Sequence, residues 1–180
     1  RSRRRRTAGT RAARATAVGR RLGLNEEESR ILAYSATIHD VGMAHVSPGI
    51  LHEPGQLDPE TWAQVSQHPI RSVELMKPIE FQSQVSEIIL AHHERMDGRG
   101  YPRGLQGEEI PLASRIIAVV DAYESMTLGR PYRLSMTHEE AIADLNRCAG
   151  TQFDRQVVEA FVQLVVVNED TRLIRAPEAA

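Results

Sequence analysis

A chain of 180 residues with 41% hydrophobic and 26% charged side chains has the material for one domain with a sizeable core. Its formal net charge of -2 argues against a general nucleic-acid binder, which carries a strong basic excess. The single cysteine, Cys148, excludes an internal disulfide, and no apolar run is long enough for a membrane span or signal peptide, so a reducing cytoplasm is the expected setting.

Residues 1–21 carry nine arginines and no acid. Without aromatic anchors they read as a solvated helix continuing a linker rather than as a phosphate-binding or membrane-surface arm. Leu22-Gly23-Leu24 ends that helix. Asn25 with Glu28 forms a capping-box pattern for a helix running through Ile31, Leu32, Ala36 and Ile38 to His39 and Asp40. Asp58-Pro59 reads as N-cap and first helical position, with Trp62 and Val65 on the buried side before His68-Pro69 redirects the chain. Ser83 is placed to cap a helix in which Val85, Ile88, Ile89 and His92 keep helical spacing, so His92 and His93 leave its last turn.

Pro111 starts a long helix with Leu112, Ile116, Val119 and Val120 as core and Asp121 in its middle. Thr137 and Glu140 form another capping box, Gly150 is a stop, and Asp154 caps a last helix with the stripe Val157, Val158, Phe161, Leu164 and Val165. No period-two alternation is bounded by hairpin turns and no solenoid repeat is present, so an all-α bundle is expected. The expected division is a basic helical linker or N-terminal helix at 1–21, a domain at 22–167 and a linker-like tail at 168–180.

The chemistry concentrates in His92-His93-Glu94-Arg95-Met96-Asp97-Gly98-Arg99-Gly100-Tyr101-Pro102. Two neutral imidazoles at a helix end are ligands for first-row transition metals, and glycines let the following backbone pass close to a ligand. Asp40 and Asp121 both lie in apolar helical runs, where a lone carboxylate is expensive to bury, so a cation is expected to meet them. With His68 the candidate ligands are His39, Asp40, His68, His92, His93 and Asp121: four imidazoles, two carboxylates and no thiolate. That donor set suits iron or manganese, with zinc also compatible. His45, His52 and His138 are assigned to no site. Glu94 and Asp97 are expected to orient ligands or the loop, Arg99 and Arg103 to be solvated, and Arg115 to pair with an acid such as Glu109.

The combination of His39-Asp40, His68-Pro69, His92-His93, Gly100-Tyr101-Pro102 and Asp121 resembles the HD-GYP branch of the HD-domain metal phosphohydrolases, from about Gly23 to Phe161. The resemblance implies an all-α HD-domain bundle with a binuclear or trinuclear metal centre that hydrolyses cyclic di-GMP to pGpG or GMP. It implies an output domain behind a receiver or other sensor, an expectation with which a chain starting at Arg1 agrees, and a homodimer is a further expected partner. It makes Asp40 the catalytic bridge between two divalent transition-metal ions, roughly 3.5–4 Å apart as in two-metal hydrolases, with His39 and Asp121 completing one and His68, His92 and His93 the other. Arg130 and Arg133, in Arg130-Pro131-Tyr132-Arg133, match positions that bind substrate phosphate, and Tyr101 matches the loop tyrosine that contacts the guanine nucleotide.

Two departures qualify that resemblance. The family pattern HDxGK ends in lysine, but this chain has His39-Asp40-Val41-Gly42-Met43, and a thioether cannot stabilise phosphate oxygens. Trinuclear members carry a histidine and a glutamate in the preceding helix, where Thr7 and Arg3 stand here, so two metals are expected rather than three. Met43 keeps a second hypothesis open beside the phosphodiesterase: a cyclic di-GMP receptor or protein-interaction module that retains metals for shape. A third, weaker one is hydrolysis of another cyclic dinucleotide or nucleotide.

Overall fold

Local signals start most of the helices. In the computed structural model, which describes residues 2–47, 49–50, 57–77, 83–128 and 135–175, Gly23 adopts φ +89° and stops α1 (Ser2–Arg21) in a left-handed turn that suits glycine. Asn25 Oδ1 then accepts from the Glu28 N–H at 3.0 Å, and the Glu28 carboxylate accepts from the Asn25 N–H at 2.8 Å, opening α2 (Glu26–Ile38) with a complete capping box. Asp58 caps α3 (Pro59–Val65), and His68-Pro69 opens α4 (His68–Met76). After α5 (Ser83–Leu90), Pro111 precedes the long α6 (Leu112–Thr127). The Thr137–Glu140 box opens α7 (His138–Cys148), and Asp154 Oδ1 accepts from the N–H groups of Gln156 and Val157 at the start of α8 (Arg155–Arg175). Among the described residues no strand forms, only an isolated bridge between Ala149 and Phe153, and the all-α expectation holds. No described helix is long and apolar enough to cross a membrane.

α6 runs through the middle of the core. Its Ile116, Ile117, Val119, Val120 and Tyr123 are buried against Leu32 and Ala36 of α2, Leu145 of α7, and Val157, Val158 and Phe161 of α8. Fully burying each large apolar side chain contributes roughly 1.5–3 kcal/mol, so this cluster is the main source of stability. A smaller cluster of Met76, Val85 and Ile89 joins α4 to α5. The candidate site lies where α2 ends, α4 begins, α5 ends and α6 passes.

The structure corrects the reading of several segments. α1 is an N-terminal helix of the bundle, not a solvated linker: Ala12, Ala15, Val18 and Leu22 form an apolar stripe, and Ala15 and Val18 are fully buried. The eight arginines of α1 had masked a stripe built mostly from small residues, which also lets α1 lie close to α2; a Cβ on Gly19 would stand 2.8 Å from Leu32 Cδ2. α2 ends at Ile38, so His39 is its C-cap and Asp40 stands in the turn beyond the helix. Trp62 is 49% exposed rather than buried, and Arg115 pairs with Asp154 at 2.6 Å instead of with Glu109. α8 continues helically past residue 168 to Arg175.

Candidate metal centre

The imidazoles are aimed by their own backbone. His39 Nδ1 lies 3.0 Å from the Ala36 carbonyl, His68 Nδ1 2.8 Å from that of Val65, and His92 Nδ1 2.6 Å from that of Ile89. Each partner is the carbonyl three residues earlier, left over at a helix end or turn. A carbonyl only accepts, so in each neutral ring Nδ1 carries the proton and the Nε2 lone pair faces inward.

Those lone pairs converge. His68 Nε2 and His92 Nε2 are 3.2 Å apart, and Asp40 Oδ1 lies 3.4 Å from the first and 3.8 Å from the second. The other Asp40 oxygen, Oδ2, lies 3.4 Å from His39 Nε2, which is 3.8 Å from Asp121 Oδ1. Potential ligand atoms thus fall into two groups, Asp40 with His68, His92 and His93, and Asp40 with His39 and Asp121, each within 4.8 Å. Two imidazole lone pairs facing each other at 3.2 Å beside a carboxylate repel unless a cation lies among them. The nitrogen and oxygen donors therefore fit a first-row divalent metal on geometric as well as chemical grounds.

Burial disfavours charge on His92 and His93, holding His92 well below the usual histidine range and His93 at about 4. Both rings are neutral near pH 7, as metal ligands must be. Desolvation also disfavours charge on Asp40, yet the facing His39 and His68 imidazoles keep its carboxyl well below the usual range. Desolvation works the same way on Asp121, and there His39 and Arg11 outweigh it. At His39 burial opposes the charged ring, but Asp121 and Asp40 prevail and raise its pKa to about 9.

Two tight backbone approaches assemble these parts. Ser72 Oγ accepts from the Gly42 N–H and donates to the His39 carbonyl, both at 2.8 Å, tying the His39-Asp40 turn to the helix that carries His68. A Cβ on Gly42 would stand 2.2 Å from the His68 carbonyl oxygen, so that turn requires glycine. A Cβ on Gly100 would stand 2.4 Å from Arg95 N, which explains the glycine before Tyr101. Buried Glu94 accepts from the N–H groups of Arg103 at 2.7 Å and Leu105 at 3.1 Å, and Asp97 holds Arg95 through two contacts at 2.9 and 2.7 Å. That pairing takes the Asp97 carboxyl down to about 2. Both acids thus order the loop, while Arg103, exposed as expected, pairs with Glu87 at the surface.

Tyr101 stacks on His93 with ring centroids 4.9 Å apart and meets Trp62 edge-on at 5.5 Å. Trp62, Tyr101, Arg99, Ser125 and Gln152 line a cleft of about 460 Å³ that reaches His92, His93 and Asp121. That volume falls within the ~300–1,000 Å³ range of small-molecule sites. His45 and His138 stand apart from both ligand groups, His138 contacting Tyr123. Arg130, Arg133 and His52 lie outside the described residues.

Three residues at the centre escaped the sequence reading. Arg11 of α1, one turn beyond Thr7, reaches Asp121 Oδ1 at 2.9 Å and His39 Nε2 at 3.0 Å. Its Nε lies 3.0 Å from Glu124 Oε2, and Arg14 holds Glu124 Oε1 at 2.8 Å. Glu124 could have been found, since it follows Asp121 by three positions on one helix. Arg11 had no local signal among the arginines around it. When His39 is neutral its Nε2 accepts from Arg11; when protonated it donates to the carboxylates, and Arg11 is left with Asp121 and Glu124.

The HD domain family matches residues 2–157. The chain is 39% identical over 148 residues to the cyclic di-GMP phosphodiesterase response regulator RpfG of Xanthomonas campestris, covering 81% of this chain and 39% of that protein. It is 38% identical over 147 residues to 3'3'-cGAMP-specific phosphodiesterase 1 of Vibrio cholerae, covering 81% of this chain and 34% of that protein. The chain thus spans well under half the length of these curated relatives. A crystal structure of a cyclic GMP-AMP specific phosphodiesterase from V. cholerae shares its fold, with a TM-score of 0.73 and 21% identity over 95% of this chain and 46% of that one. With its His39-Asp40 and Gly100-Tyr101-Pro102 motifs and these relatives, the chain belongs to the HD-domain family, in its HD-GYP branch.

Proposed function

We propose that this domain is a metal-dependent phosphodiesterase that hydrolyses cyclic di-GMP to pGpG or GMP at a two-metal centre held by His39, Asp40, His68, His92, His93 and Asp121. The observation that carries the reading is the placement of Asp40, with one oxygen 3.4 Å from His68 and the other 3.4 Å from His39, between two groups of potential ligands. Metal ions bound there would supply Lewis acidity and an activated water for in-line attack on phosphorus, with iron or manganese favoured and zinc compatible.

The protein's own groups would do the rest. The Nδ1 hydrogen bonds hold three imidazoles in the ligating tautomer, and Glu94 and Ser72 keep the glycine loop and the His39-Asp40 turn in register. The Tyr101 ring, stacked on His93 at the cleft, offers a face for a guanine base, and burial pushes its phenol up, so it serves as a neutral hydroxyl. Arg130 and Arg133 are assigned to substrate phosphate on the family resemblance, since guanidinium forks match phosphate oxygens. The same resemblance supports a cytoplasmic output domain behind a receiver or other sensor; a homodimer, also expected, is measurable by light scattering.

Two observations favour specific alternatives. Met43, in the turn Val41–His45, stands where the family pattern has lysine, which favours a receptor that binds without turnover. The V. cholerae relative named for 3'3'-cGAMP favours a wider choice of cyclic dinucleotide. One experiment separates the readings: metal-loaded protein is incubated with cyclic di-GMP and, in parallel, 3'3'-cGAMP, and products are resolved by chromatography. Formation of pGpG or GMP from cyclic di-GMP supports the proposal. Faster cleavage of 3'3'-cGAMP reassigns the substrate, and tight binding of cyclic di-GMP without product makes the domain a receptor.

A further inference from the structure

The two groups of ligands differ in one respect that their residue types do not reveal. The His39, Asp40 and Asp121 group already has a cation of the protein's own. Arg11, with a side chain only 17% exposed, presents Nη2 to Asp121 Oδ1 at 2.9 Å and Nη1 to His39 Nε2 at 3.0 Å and to Asp40 Oδ2 at 3.9 Å. Behind it, Glu124, 1% exposed, clamps Nε at 3.0 Å, and Arg14 holds the other Glu124 oxygen. Among the described residues the side-chain hydrogen bonds and ion pairs of Arg11 go to His39, Asp40, Asp121 and Glu124, and none goes to His68, His92 or His93.

Resting on the metal-centre reading above, we propose that Arg11 is a resident counter-cation that makes the two metal subsites unequal: the Asp40, His68, His92 and His93 subsite fills first, and the His39, Asp40 and Asp121 subsite fills only as the guanidinium is displaced. His39 Nε2 offers one inward position, which takes a proton, an Arg11 N–H or a metal but never two of them together. Asp121 Oδ1 is engaged by the same fork. A divalent ion at these atoms would also stand within a few ångströms of a fixed positive charge in a partly desolvated setting, where like charges repel strongly. Glu124 makes displacement feasible without expelling the arginine, because it keeps Arg11 Nε paired while the two terminal nitrogens leave the ligands. Metal occupancy at one subsite is therefore coupled to a rotation of an α1 side chain.

The test titrates Mn²⁺ into chelator-stripped full-chain protein by calorimetry, with metal content measured after desalting and electron paramagnetic resonance used to detect spin-coupled manganese pairs. Wild type should bind one equivalent tightly and a second more weakly, with the coupled-pair signal emerging only beyond the first equivalent. Arg11→Met, which keeps the aliphatic length and removes the charge, should strengthen the second step by about ten- to a hundredfold, a small share of the like-charge repulsion expected about 4 Å apart at intermediate dielectric. Arg11→Lys keeps a charge but loses the fork spanning Asp121 and His39, so its second step should fall between the two; it also supplies the comparison if the neutral variant does not fold. Arg14→Gln, which leaves the ligand contacts of Arg11 in place, should keep two unequal steps.

Two equal equivalents in wild type, or a second step identical in wild type, Arg11→Lys and Arg11→Met, would overturn the inference while leaving the two-metal reading intact. Absence of tight Mn²⁺ in every variant, repeated with Fe²⁺ and Zn²⁺, would overturn the metal-centre reading itself.

Discussion

The two halves of the centre share Asp40 and the upstream carbonyls that aim His39, His68 and His92, but they handle charge by different rules. In the half containing His68 and His92, ring orientation is set by carbonyls three residues upstream, and burial keeps the neighbouring His92 and His93 neutral. In the half containing His39 and Asp121, the ligands are knitted into a charged cluster with Arg11, Arg14 and Glu124. The lesson is that imidazole and carboxylate ligands can be prepared either by excluding charge or by balancing it. The first is ready for a metal, and the second already has a cation to lose.

The most damaging way to break the comparison is to remove the residue common to both halves. Asp40→Ala should lower metal content below the level of wild type and abolish hydrolysis by more than the ~10²–10³-fold that loss of one preorganised transition-state donor costs. Elemental analysis beside a turnover assay checks this, and full metal content in the variant would end the bridging role of Asp40. Next in size, Glu124→Gln attacks the charge-balanced half alone. It leaves two guanidiniums around a neutral, almost fully buried amide, and at the low end for a broken buried pair it should cost about 3 kcal/mol of stability. Denaturant melts would show it as a shifted midpoint at unchanged slope.

The pH dependence of the metal-free protein should set the halves against each other. In the folded state His93 resists protonation down to about 4 and His92 also lies below the usual range, whereas unfolded histidines take protons near 6.5. The unfolded chain therefore binds more protons as pH falls from 6.5 towards 4, and this half loses stability on acidification. His39 has the opposite sign: raised to about 9, it contributes stability that is fully present below 6.5 and is lost as pH rises through about 9. Thermal melts of chelator-treated protein should peak near neutral pH and fall on both sides, and Arg11→Met should alter the alkaline side more than the acid side. A monotonic profile would refute this division.

The smallest expected effect concerns the turn that joins the halves. Met43→Lys should raise the rate of cyclic di-GMP hydrolysis by up to about tenfold at matched metal occupancy, since an ammonium near the phosphoryl oxygens favours the more charged transition state. An unchanged rate would show that methionine at this position is catalytically silent.

Much of this molecule was legible before any coordinates. The capping boxes at Asn25 and Thr137, the cap at Asp154 and the stop at Gly23 each depend on residues within one turn, and each forms as read. The convergence of His39, Asp40, His68, His92, His93 and Asp121 was legible through the order of their motifs. What escaped was partnership at a distance. Arg115 finds Asp154 across 39 positions, and Arg11 finds Glu124 across 113. Trp62 looked like core because it is large and apolar, but α3 has no fully buried residue and presents Trp62 to Tyr101 at the cleft.

By itself, then, the sequence determined the helices, the donor atoms and the direction in which three imidazoles point, because periodicity, caps and i−3 carbonyl contacts are settled within a few residues. Only the tertiary structure decided which charges surround those donors. Charge compensation follows distance in space, and α1, rich in arginine but held in the bundle by Ala15 and Val18, delivers one particular guanidinium to His39 and Asp121 only after the core has closed.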